Sequence, residues 1–130
     1  MAQVVEVEKD AENGVRVVKV TAAVDCGQPI NPLGIEAQVE GGIVFGITAA
    51  LFGEVTIANG RIEQSNFHDY RMLRISEAPA IATYIVPSDQ KAGGMGEPPV
   101  ATIMPALANA VFALTGKRIR KLPIAKALTA

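Results

Sequence analysis

The stretch "NPLGIEAQVEGGIVFGITAAL", residues 31–51, decides how the rest of the chain is read. Ile35, Val39, Ile43, Ile47 and Leu51 recur four residues apart, the spacing of one helical face and not the alternation of a strand. Asn31 supplies an N-cap and Pro32 the first helical position, where a missing N–H costs nothing. The resulting helix is about 30 Å long. Gly41, Gly42 and Gly46 lie inside it, and each costs roughly 1 kcal/mol against alanine. Close approach by another backbone or by a ligand would offset that cost, and tight packing on a sheet is a sufficient explanation from the residues alone.

Before this helix, residues 4–8 and 15–24 are rich in β-branched side chains, with "DAENG" between them. Asn13-Gly14 offers the positive-φ positions of a tight turn, so an antiparallel hairpin is predicted. After it, residues 54–57 and 61–67 flank Ala58-Asn59-Gly60 and predict a second hairpin. Strand signal returns in "AIATYIV", residues 80–86, and stops at Pro87. A second helix is predicted over residues 105–115, with Leu107, Val111 and Leu114 inward and Gly116 as its C-terminal cap. Val100, Ile103 and Met104 extend its stripe toward the N-terminus, with Pro105 as a kink. A weak last strand is read at residues 118–122. The fold class is α+β: a mostly antiparallel sheet with two helices packed on it.

Composition narrows the function. The chain has 130 residues, 49% hydrophobic and 19% charged, which fits one domain with a sizeable core, residues 1–130. A net charge of −1 without a basic cluster argues against nucleic acid or an anionic membrane surface as partner. The longest apolar run, twelve residues ending at Phe52, is short for a membrane span, and "MAQVVEVEKD" has no basic n-region, so a soluble piece is expected. Its strand signal begins two residues after Met1, as in a domain cut from a longer polypeptide.

The single cysteine, Cys26, excludes an internal disulfide and a four-thiolate metal site. His68 is the only histidine and has no ligand-spaced partner, so no metal held by the chain's own side chains is expected; a local hydrogen bond in "NFHDY" is expected instead. Ser65, Ser76 and Ser88 stand in no nucleophile-elbow context, and no phosphate loop is present. What stands out is "AGGMGEPPV", residues 92–100. Gly93, Gly94 and Gly96 allow the main chain to approach a bulky group and offer bare N–H donors. Pro98 predicts an extended backbone at Glu97. A carboxylate so placed suits a general base beside a large cofactor. It suits an exposed acid on a rim turn as well, and the residues alone leave both open.

Three stretches, taken together and in order, resemble a known family. Residues 24–51, "SNFHDY" at 65–70, and "GGMGEPPVATIMPALANAVFALTGKRIRKLPI" at 93–124 are similar to the C-terminal end of the molybdenum-binding large subunit of the xanthine dehydrogenase/aldehyde oxidase family, most of all its bacterial isoquinoline 1-oxidoreductase β-subunit branch. The resemblance implies an oxidoreductase that hydroxylates an N-heteroaromatic or aldehyde carbon with water-derived oxygen. It implies a molybdenum–molybdopterin cofactor, in its cytosine dinucleotide form, whose metal is held by the cofactor's dithiolene. Glu97 then matches the catalytic base, which takes the proton of the hydroxyl on molybdenum. Gln38 in "QVEGG" matches the glutamine that hydrogen-bonds the pterin, with Gly41 and Gly42 serving close helix packing, and Gly94 and Gly96 line the cofactor. The implied partners are the remainder of the large subunit, a small [2Fe-2S] subunit and a small-molecule substrate. The chain is then expected to be the C-terminal fragment of such a subunit and inactive alone. A non-catalytic, stand-alone assembly domain is the alternative, and cytoplasm and periplasm both stay open.

Overall fold

The computed structural model describes residues 1–129. Strands β1 (Ala2–Asp10) and β2 (Gly14–Val24) form the predicted hairpin. Its turn is closed differently from the expectation: Asn13 is not in the positive-φ region, and only Gly14 is, at φ 78°. The Asp10 carboxylate accepts the N–H groups of Glu12 (3.0 Å) and Asn13 (2.7 Å), which does the work the second positive-φ residue would have done. The pairing shifts between Glu6↔Lys19 and Val7↔Val17, so Val18 is an extra residue. This bulge changes the parity of β2. Val15 and Val17 before it, and Val20, Ala22 and Val24 after it, are thereby all buried on one face.

Helix α1 (Pro32–Phe52) starts as predicted, the Gly34 N–H reaching the Asn31 side-chain oxygen at 3.1 Å. A short hairpin follows, β3 (Ile57–Ala58) and β4 (Arg61–Ile62). It pairs far fewer residues than expected and turns on Asn59 and Gly60 alone, both at positive φ. Ile57 and Ile62 are exposed, so neither face of this ribbon has a core to extend over. Arg71 holds the next segment to the body: its guanidinium stacks 3.9 Å above the Phe52 ring and donates to Asn13 (2.9 Å) and Glu77 (2.7 Å). A 3-10 turn at Ile75–Glu77 leads into β5 (Ala80–Ile85).

β5 pairs with β2 in parallel, from Lys19↔Ala80 to Val24↔Ile85, so the sheet is mixed, in the order β1-β2-β5. A parallel neighbour needs a long crossover, and residues 25–79, which include α1, provide it. Helix α2 (Pro98–Thr115) begins at the double proline and not at Pro105. Pro105 is accommodated inside α2 on its exposed side, and Gly116 caps the helix at φ 71°, its N–H donating to the Phe112 carbonyl at 2.8 Å.

Residues 118–122 are not a strand, because no strand lies alongside to pair with them. Arg118 turns back over the Phe112 ring at 3.6 Å and donates to Asn109, and a third helix, α3 (Ile124–Thr129), closes the chain. By length and apolarity alone α1 and α2 would pass for membrane spans. In this fold Val39, Ile43 and Ile47 of α1 and Ile103, Leu107 and Val111 of α2 join the β2 valines and Ile124 in one core.

The helix glycines sort by their neighbours. A Cβ on Gly42 would lie 2.7 Å from the Pro99 Cβ, and one on Gly46 2.3 Å from the Ile103 Cγ2, so these two let α2 cross α1 closely. Gly41 differs from the expectation. It is exposed with nothing within 4 Å, and takes no part in this packing.

Candidate functional site

The site forms where two loops leave the parallel strand pair together. Hydrogen bonds continue past the strand ends: Val86 N–H to the Val24 carbonyl (2.8 Å), Gly93 N–H to Cys26 (2.8 Å) and Gln28 N–H to Gln90 (2.9 Å). Gly27 permits this zip. It has φ 71°, and a Cβ there would lie 2.3 Å from the Lys91 carbonyl oxygen. In the sequence Gly27 is only one of the residues that break the strand pattern, because a close backbone approach 64 positions away leaves no local periodicity to detect.

The joined loops bring the start of α1 beside the start of α2. Gln38, Gly42 and Gly46 fall at i, i+4 and i+8 on one face of α1, against Gly96, Pro99 and Ile103. Gln38 Nε2 is 3.7 Å from the position a Gly96 Cβ would take. The Gln38 carboxamide is exposed and has no hydrogen-bond partner among the described residues. Beside it opens a cleft of about 250 Å³, lined by Cys26, Gln28, Asn31, Gln38, Gly93 and Met95 among others. Gly96 and Glu97, which follow the lining residue Met95 in the chain, are exposed and outside the lining itself.

Two expectations about the loop change. Glu97 is helical (φ −96°, ψ −37°), not extended. Its carbonyl accepts the N–H groups of Val100 (3.0 Å) and Ala101 (3.4 Å), and forming that first turn outweighs the preference Pro98 imposes. Gly93, moreover, is not a bare donor, since its N–H is taken by Cys26. None of Gly93, Gly94 and Gly96 has positive φ, so their value is room and not conformation. A Cβ on Gly94 would meet nothing within 4 Å, and one on Gly96 only Gln38.

Cys26 is buried with its thiol 3.8 Å from the Gly27 carbonyl. Among the described residues no three His, Cys, Asp or Glu side chains cluster as metal ligands. In "SNFHDY" it is Asp69, and not His68, that organises the turn. Its carboxylate accepts the Asn66 N–H (2.9 Å), the Ser65 N–H (2.8 Å) and the Ser65 hydroxyl (2.8 Å). The backbone N–H of Asn66 foremost, then Ser65, lowers its pKa from 3.8 to about 2. Because the folded value is depressed, the turn's contribution to stability is present above pH 3.8 and is lost as pH falls through about 2. A carbon-detected NMR titration of the chain should therefore place the Asp69 midpoint near 2; a midpoint at or above 3.8 would dissolve this account of the turn.

Residues 1–79 match the molybdopterin cofactor-binding domain family; Gln38 falls inside the match and Glu97 beyond it. The chain is 42% identical over 118 residues to the isoquinoline 1-oxidoreductase subunit beta of Brevundimonas diminuta, covering 91% of this chain and 15% of that one. It is 37% identical over 107 residues to the xanthine dehydrogenase molybdenum-binding subunit of Escherichia coli O157:H7, covering 77% of this chain and 14% of the relative. Among solved structures, quinoline 2-oxidoreductase from Pseudomonas putida 86 superposes with a TM-score of 0.81 at 30% identity, over 91% of this chain and 16% of its own. The chain thus spans about a sixth of the length of the relatives it matches.

Proposed function

The chain belongs to the molybdopterin cofactor-binding domain family of the xanthine dehydrogenase type, and on that premise we propose that it supplies the catalytic base and part of the pterin site of a molybdenum hydroxylase. The substrate is an N-heteroaromatic or an aldehyde, oxidised at carbon with oxygen from water. When bound, the molybdenum–molybdopterin cofactor, in its cytosine dinucleotide form, supplies the oxygen-transfer and two-electron redox chemistry, and a [2Fe-2S] subunit takes the electrons away.

One observation carries this reading: an unpartnered glutamine carboxamide beside Gly96, one residue before the free carboxylate of Glu97. The residues fit the cofactor. Gln38 offers a donor and an acceptor to a pterin, and Gly94 and Gly96 leave open room beside it that side chains would take up. Glu97 contributes a base at the end of a helix locked into the core, where it can accept the proton released as oxygen is transferred to the substrate.

The exposed surface supports a larger assembly. It measures 8164 Å², against about 6,600 Å² for a compact monomer of this mass. Ile30 and Leu33, close to the cleft, and Phe45 on α1 are among the exposed apolar residues, as expected of faces covered by the remainder of the large subunit. The test of the pterin assignment is Gln38→Leu in the complete complex. Losing one hydrogen bond to the cofactor should weaken its retention about 3- to 10-fold. Molybdenum and pterin content after extended dialysis reads this directly, and unchanged content would remove Gln38 from the site.

A further inference from the structure

The two prolines after Glu97 have a role that helix initiation does not explain. The first N–H groups of a helix lack intrahelical partners, and a side chain at the N-cap is normally drawn in to bond those at the second or third position. Glu97 holds the N-cap place of α2 and makes no such bond. Pro98 and Pro99 occupy the first two helical positions and carry no N–H. The next two N–H groups, of Val100 and Ala101, go to the Glu97 carbonyl. The first turn of α2 therefore offers the Glu97 carboxylate no donor.

One proline would suffice to start the helix. The second stands at a capping position, and its ring is buried against Gly42, whose added Cβ would come within 2.7 Å of the Pro99 Cβ. Pro99 thus both removes a competing donor and seats the turn on α1, one helical turn along from Gln38. We propose that Pro98 and Pro99 are positioning residues that keep the Glu97 carboxylate out of its own helix cap and so available to accept a proton. A carboxylate held by a backbone N–H is a weaker base, and must break a charge-assisted bond before it can act.

This inference rests on Glu97 being the base, and the experiment separates the two. In the complete complex, Pro99→Ala restores the N–H at the second position while keeping the Cβ that touches Gly42. A crystal structure of that variant should show a Glu97 carboxylate oxygen within about 3.2 Å of the residue 99 nitrogen. The limiting rate of anaerobic reduction by isoquinoline or benzaldehyde, per molybdenum, should fall about 10-fold or more with KM unchanged. A role in packing alone would reduce the yield of loaded complex and leave that rate per molybdenum intact. Should Pro99→Ala give no loaded complex, Pro98→Ala, which leaves Pro99 seated on Gly42, is read by the same limiting rate and by the distance from the Glu97 carboxylate to the residue 98 nitrogen, the N–H that this variant restores. A carboxylate that stays away from the restored N–H, or an unchanged limiting rate, overturns the proposal. Glu97→Gln assayed alongside shows which claim has failed: if it is inactive while the proline variants are normal, only the positioning role falls. If it is fully active, the base assignment falls and takes the positioning role with it.

Discussion

Glu97→Gln in the complete complex is expected to lower substrate oxidation by about two to four orders of magnitude, the range a positioned general base contributes. The substitution keeps shape and removes only the capacity to take up a proton. Since the Glu97 carboxylate makes no cap bond and no ion pair among the described residues, no hydrogen bond or salt bridge of the fold is lost with its charge. Stability should therefore change by no more than about 0.5 kcal/mol, as for other exposed positions. The decisive comparison is turnover with an electron-acceptor dye, per molybdenum, for wild type and variant at equal cofactor content. Loss of turnover with molybdenum retained identifies Glu97 as the base. Turnover near the wild-type rate would return it to an exposed acid on a turn and remove the catalytic reading of this domain.

The second large effect concerns the helix crossing that holds Glu97 in place. Gly46→Ala adds one methyl, which would stand 2.3 Å from the Ile103 Cγ2 and 2.9 Å from the Val100 carbonyl oxygen. The Ile103 side chain is itself fully buried and cannot swing aside, and the carbonyl belongs to the backbone of α2. The helices must part, opening the contacts around Ile43, Ile47 and Leu107. Overpacking of this kind costs about 1–3 kcal/mol, and a clash with backbone belongs at or above the upper end. That exceeds the ~1 kcal/mol the alanine gains in helix propensity. The variant complex should show reduced soluble yield, a lowered melting transition and depleted molybdenum. Wild-type values in all three would mean that α1 and α2 do not pack as closely as described.

The two loops of the site show how far local sequence reaches. Asn31-Pro32 announced the start of α1 and Gly116 the end of α2, because a cap acts on residues within one turn of itself. The pairing of Gln38 with the Glu97 loop came through family resemblance and not through spacing, since the two lie 59 positions apart (97 − 38). In "SNFHDY" the expectation falls on His68, whereas the local arrangement that closes the turn is a carboxylate three and four residues after two backbone donors. The backbone at Glu97 departs from the pre-proline expectation because the whole turn outweighs one peptide unit. The pre-proline preference is a tendency of one peptide unit, whereas the hydrogen bonds of the first turn of α2 and the burial of Pro99 act on the whole turn.

Helix periodicity, cap residues and the β-branched strands are written in the sequence, because each is encoded within a window of a few residues, whereas the candidate base and glutamine came from the resemblance of three separated stretches to one family. Tertiary structure alone decided that β5 runs parallel to β2 and that Val18 is bulged so that both halves of β2 face the core. It alone decided that Gly42 and Gly46, but not Gly41, face α2, and that residues 118–122 have no ladder to join. The physical reason is the same in each case. A ladder partner, a close helix approach or a zipped pair of loops depends on what another part of the chain brings alongside, and that neighbour is supplied only by folding.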